Sequence, residues 1–192
     1  MKKIIAMLMA ALMVASLAAC GTATPAGTTE PKVEVPASAL EILETVWGAY
    51  AEDEKFFVMG GDMTNMVDGA PGTFDVTDTE SLTYTLLVPE AQYANVDAAA
   101  SMVHGMLPNN FTCGVFHMAE GADAKAFAEA MKNAVNGNQW MCGMPEQLLI
   151  SIVGGEYVLV AFGINDTINP FQTKLATAYP QAEQVCFEAI TF

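Results

Sequence analysis

Apolar residues recur at helical spacing over residues 39–51, where Leu40, Leu43, Val46, Trp47 and Tyr50 share one face. Ser38-Ala39-Leu40-Glu41 ahead of them has the form of a capping box, the serine oxygen taking a free amide of the first turn while the glutamate reaches back. The pattern predicts a helix over 39–51. Between 56 and 78 no period holds, and Gly60-Gly61, Asp68-Gly69 and Ala70-Pro71-Gly72 read as turns, so this stretch is expected to be irregular. In residues 79–88, Leu82, Leu86 and Val88 fit either a strand or a short helix stopped by Pro89. Residues 96–106 are equally open: Ala98-Ala99-Ala100 favours helix, while Val96 and Met102-Val103 allow a strand.

From residue 111 the alternation is clearer. Residues 111–118 read as a strand, and 123–136 as a helix with Phe127, Met131 and Val135 on one face, ending at Gly137. Residues 148–153 and 156–162 flank Gly154-Gly155, a two-residue hairpin turn whose positive φ calls for glycine. Asn169-Pro170 is expected to cap and start a helix with Phe171, Leu175 and Ala178 inward, stopped by Pro180, and residues 184–190 form a last strand. The order βαββαβ predicts an α+β fold of the ferredoxin-like kind, an antiparallel sheet of four or five strands with both helices on one face. Tyr157-Val158-Leu159-Val160-Ala161-Phe162 is apolar on both faces, as a central strand covered on both sides should be. The helical segment from 39 to about 106, or a second copy of the chain in a homodimer, is therefore expected to cover the other face.

The N-terminus changes the picture. Lys2-Lys3 precede an uncharged apolar run, Ile4 to Leu17, too short for a comfortable membrane span, and Leu17-Ala18-Ala19-Cys20 then looks like a bacterial lipobox. The lipobox implies cleavage after Ala19 and a covalent diacylglycerol on Cys20. Residues 1–19 are then a lipoprotein signal peptide, 20–37, rich in Thr, Pro and small residues, a flexible tether, and 38–192 a single α+β domain. The expected location is the extracytoplasmic face of the bacterial cell membrane. The chain carries 22 Asp and Glu against seven Lys and no Arg, a net charge of −15, and loss of the leader would remove two of those lysines. Such a chain cannot neutralise a row of phosphates, so no nucleic acid is expected as partner; cations, basic peptides or cationic surfaces are compatible. Cys113, Cys142 and Cys186 are an odd number of further cysteines, so at least one thiol should be free.

The segment Trp140-Met141-Cys142-Gly143-Met144-Pro145-Glu146, the strand pair around Gly154-Gly155-Glu156-Tyr157-Val158 and the lipobox together resemble a family of uncharacterised clostridial-type lipoproteins classed as a domain of unknown function. The resemblance covers roughly the last half of the chain. It implies that residues 98–105 form a strand paired through a turn at Leu107-Pro108-Asn109-Asn110, and it supplies no activity and no site residues.

Candidate chemistry is sparse. Trp140, Met141, Cys142 and Met144 form a soft-ligand cluster that could hold Cu(I), although Met and Trp at a helix-to-strand junction more often seal an edge. Met102, His104 and Met106 alternate and would share a strand face, but splay apart on a helix. Cys113 and His117 lie about 13 Å apart along a strand, which excludes a Cys–His nucleophile. Asp75, Asp78 and Glu80 lack the spacing of a Ca²⁺ loop and read better as a helix-starting turn. No nucleophile elbow and no dinucleotide fingerprint is present. In the expected layout the loop 137–147 shares a sheet end with Tyr179, which makes Trp140, Cys142, Met144 and Tyr179 the candidate ligand-binding residues, with residues 163–169 at the opposite end. The expectation is a non-enzymatic module that binds a protein or small ligand outside the membrane, with no cofactor beyond the lipid. The alternative is a copper or thiol function at Met141, Cys142 and Met144.

Overall fold

The computed structural model describes residues 35–141 and 143–191; the leader, Cys20, most of the tether and Cys142 lie outside them. Eight strands form one sheet, every pair antiparallel. It is twice the size expected, because residues 56–78 are not irregular. They contain β1 (Val58–Gly60), β2 (Val67–Asp68) and β3 (Gly72–Phe74), too short to show an alternation. Gly60 is more than a turn residue: a Cβ there would lie 2.2 Å from the Gly72 nitrogen, so two backbones cross where no side chain fits.

The helix α1 (Ala39–Gly48) starts as its sequence predicts. Ser38 Oγ accepts from the Glu41 amide and Glu41 Oε2 accepts from the Ala37 amide, and Ile42, Leu43, Val46 and Trp47 are buried. Residues 79–88 resolve as a helix, α2 (Thr79–Leu86), capped by Asp78 and closed by Leu87 at φ 59°. Leu87 takes a left-handed conformation costly for a side chain with a Cβ, and the turn it makes lets the Val88 amide donate to the Leu82 carbonyl at 3.0 Å and close the helix before Pro89. Residues 96–104 resolve as β4 (Val96–His104), where pairing with three neighbouring strands overrides the helical preference of the alanines. It is joined through a turn at Pro108–Asn110 to β5 (Phe111–Met118).

The remaining elements are α3 (Ala124–Asn136), β6 (Gln147–Val153), β7 (Tyr157–Gly163), α4 (Asn165–Ala178) and β8 (Glu183–Ala189). The β6–β7 connection has three residues rather than two, since Val153 pairs with Tyr157. The start of α4 lies four residues before Asn169, with Pro170 inside it. The cap is tertiary: Glu146 Oε2 accepts from the Asn165 amide at 2.9 Å, a contact between distant residues that local sequence cannot show.

The order βαββαβ is present, but the arrangement is not ferredoxin-like. A ferredoxin-like sheet would return β8 to the free edge of β5. Here β4 occupies that edge and the order runs β2-β1-β4-β5-β7-β6-β8, with β3 also on β4. Both crossovers, β5 to β6 and β7 to β8, then travel the same way across the sheet while their first strands point oppositely. Right-handed connections must in that case lie on opposite faces. The cores agree: α3 packs through Phe127, Met131 and Val135 on Leu148, Ile150, Val158 and Phe162, and α4 through Ile168, Phe171 and Leu175 on Leu149, Leu159 and Ala161. The expected pair of helices on one face is thereby corrected. The N-terminal helix does cover the face opposite α3, sharing it with α4, while α2 joins α3. The strand β7 is buried throughout by helices of its own chain, and no second copy is needed to cover it.

Candidate functional site

At the end of the sheet where β5 begins, one row of side chains runs across four strands. Met59 pairs with Val103, Val103 with Thr112 and Thr112 with Phe162, so all four lie on the face that carries α2 and α3. The helix α3 packs on Phe162 at one end of this row, where Thr112 and Phe162 are buried, while Val103 and Met59 stay part-exposed. The last turn of α2 and its exit (Thr83 to Pro89) form one wall, and the end of α3 with the following loop (Ala134, Asn138 to Met141) forms the other. The cleft between them has a volume of about 630 Å³. A second hollow of about 250 Å³, over Met59, Met63 and Met66, adjoins it across Thr85, Val103 and Pro108, which line both, and the two are adjacent sections of one grooved surface.

The larger section carries no carboxylate, lysine or histidine. Trp140 stands in its wall with its ring 5.2 Å from that of Phe162, and the indole Nε1 is buried without a hydrogen-bond partner. An indole N–H so placed is a donor without an acceptor. Asn109 Nδ2 donates to the carbonyls of Met141 and Gly143, both at 2.9 Å, and so fastens this loop to the β4–β5 turn.

The smaller section contains two polar groups that sequence reasoning did not single out as one locus. Asp62 is buried and its carboxylate accepts from the amides of Thr64, Asn65 and Asp75 and from the Thr64 hydroxyl, at 2.6–2.9 Å. Burial alone would raise its pKa, but these donors outweigh it and hold the carboxyl well below the usual carboxylate range. The signal available in the sequence was Asp62-Met63-Thr64-Asn65, the pattern of an Asx turn. His104 stacks on Phe56 and its Nδ1 accepts from the amides of Met106 and Leu107, which puts the ring proton on Nε2.

The sequence-predicted residues separate. Trp140 and Met141 line the groove, Met144 is half exposed and lines neither section, and Cys142 lies outside the described residues. Tyr179 is on the other face at the other end, beside a dimple of about 60 Å³, so it forms no pocket with Trp140. The expected shared end is corrected by strand direction. β7 runs antiparallel to β6 and finishes where β6 began, so residues 163–165 meet the loop before β6, with the Glu146 amide on the Gly163 carbonyl at 2.8 Å.

Met102, His104 and Met106 do not converge either. Met102 is buried in the core of the opposite face and Met106 is exposed beyond the strand end. Cys113 is fully buried, and burial pushes its thiol up; burial likewise pushes Cys186 up to about 11. His117, four residues along the strand from Cys113, pairs with Asp97 and packs its ring at a tilt against that of Tyr157. Asp75 and Asp78 each hold their own turn, on Thr77 and Ser81 respectively, and no group of three His, Cys, Asp or Glu among the described residues could hold a metal ion. No described helix is long and apolar enough to cross a membrane. No family model, no curated protein and no solved structure matches the chain.

Proposed function

We propose that this chain is an extracytoplasmic lipoprotein, held at the cell membrane by diacylglycerol on Cys20, whose folded domain binds a ligand in the groove and performs no chemistry of its own. The observation that carries the binding reading is the uncharged cleft of about 630 Å³ with Trp140 in its wall, in a chain of net charge −15. Its size and its apolar lining with a few polar groups are those of small-ligand sites. The position of the groove suits an anchored domain. Val35 and Pro36, the first described residues, pack against Gly154 at the β6–β7 turn, the opposite end of the sheet from the groove.

Two experiments test the two halves. Cell fractionation is expected to find the wild-type chain in the membrane and Cys20→Ser outside it; equal membrane retention would reject the anchor. For the groove, the probe is N-phenyl-1-naphthylamine, a neutral aromatic dye, added to the full Cys20→Ser chain. Binding at a single site, lost in Trp140→Ala and kept in Tyr179→Ala, is expected; equal losses in both variants would reject the groove.

A further inference from the structure

The groove is longer than a small ligand requires, and its edge is apolar in a particular way. Its floor, from β7 across β5 and β4 to β1, spans three strand spacings, about 14 Å. Met63, Met66, Tyr84 and Met141 line it while remaining 58–79% exposed, and Met106 and Leu107, also exposed, flank the Pro108 shared by both sections. Thioether side chains are unbranched and polarizable, and a rim built of them adapts to the apolar side chains of another chain rather than to one rigid small molecule.

The charge around it has one sign. The C-terminal ends of α2 and α3 both supply walls of the cleft, and neither helix has a basic residue in its last turn, so the negative end of each helix dipole lies at the cleft without a cation from its own last turn. Asp62 lines the far section as an ionised carboxylate, Glu90 follows Pro89 at the lip and Glu80 lies one turn before Tyr84 on α2. The described lysines, Lys55, Lys125, Lys132 and Lys174, hold Glu52, Glu183, Glu188 and Glu54 at 2.7–3.0 Å, and none lines either section.

We propose that the groove docks a basic amphipathic peptide segment of a partner protein, its apolar side chains seated on Met59, Val103 and the exposed Met63, Met66, Tyr84 and Met141, and its Lys or Arg side chains against the C-termini of α2 and α3. The proposal rests on the groove being the binding site and names the class of its occupant. Charge complementarity selects a cationic partner, and the flexible rim and length select a peptide.

The test uses the full Cys20→Ser chain and three synthetic helical peptides of about 14 residues, roughly 21 Å long. One alternates Leu and Lys on opposite faces, a second replaces Lys by Glu, and a third replaces Leu by Ala. Fluorescence anisotropy is expected to show the Leu/Lys peptide binding at least about 30-fold more tightly than either other peptide and displacing N-phenyl-1-naphthylamine. Its binding should weaken several-fold when salt is raised from about 0.1 M to about 0.5 M. The triple variant Met63→Gln, Met66→Gln, Met141→Gln changes only exposed side chains and is expected to weaken the Leu/Lys peptide at least about 10-fold. Equal binding of the Ala/Lys or Leu/Glu peptide, or an unaffected triple variant, would overturn the proposal. Dye bound in the groove without displacement by the Leu/Lys peptide would overturn it while leaving the groove as a ligand site. Concentration-dependent dimerisation abolished by the triple variant would assign the groove to a second copy and overturn it as well.

Discussion

Replacing Asp62 by Asn should cost about 2–4 kcal/mol, a large effect for a change of one atom. The two carboxylate oxygens divide their work: Oδ1 accepts from the Thr64 and Asn65 amides and the Thr64 hydroxyl, and Oδ2 accepts from the Asp75 amide at 2.9 Å, thirteen residues away. An asparagine has one acceptor oxygen. Whichever way its amide is turned, its NH₂ faces a backbone N–H that has lost its partner. The cost is one charge-assisted hydrogen bond and a buried amide without an acceptor, which gives the stated magnitude. With a urea m-value of about 2 kcal/mol/M the midpoint should fall by about 1–2 M. The pH dependence carries the sign. The carboxyl of Asp62 is held below its ordinary value of about 3.9, so its contribution is fully present above that pH and is lost as pH falls through the folded value. Urea melts of wild type between about pH 6 and pH 3 should therefore lose stability at the acid end, and the variant should lose less over the same range. A midpoint shift under about 0.3 M with an unchanged pH profile would refute the assignment of Asp62 as the organiser of this loop.

Two substitutions and one labelling experiment probe the fold that carries the groove. Glu146→Ala removes the acceptor for the Asn165 amide and should cost about 1 kcal/mol, seen as a drop in Tm of about 2–4 °C. Gly60→Ala would place a methyl 2.2 Å from the Gly72 backbone, and should destabilise by more than about 2 kcal/mol in urea melts, since β1 and β3 must separate. Cys113 and Cys186, buried and with raised thiol pKa values, should resist iodoacetamide at about pH 8 and be alkylated after unfolding, as peptide mass spectrometry would show.

The elements that sequence makes legible are those whose stabilisation is local or periodic. Ser38 with Glu41, Phe127 with Met131 and Val135, and the all-apolar Tyr157–Phe162 run each announce their element within one window. The three strands of residues 58–74 have two or three residues each; β1 and β3 exist through pairing with β4, well downstream in sequence, and β2 through pairing with β1. The helix α4 begins at Asn165 because Glu146 meets it there, not because of Asn169-Pro170. The sheet order turned on a competition for one edge of β5, which β4 wins through a short hairpin, and the opposite placement of α3 and α4 follows from that. At the site, Trp140, expected at a ligand pocket, and Met141, expected only as a soft metal ligand, both line the cleft, but their companions Thr83, Leu87 and Val103 come from two other elements and leave no motif. Tyr179 is misplaced by strand direction alone.

The claim that the groove is the site is tested most directly by titrating N-phenyl-1-naphthylamine into the full Cys20→Ser chain carrying Trp47→Phe, so that Trp140 is the remaining indole. The dye is expected to bind one per chain and to quench Trp140 in proportion to its own gain in emission. Binding that leaves Trp140 emission unchanged would place the ligand elsewhere and contradict the account.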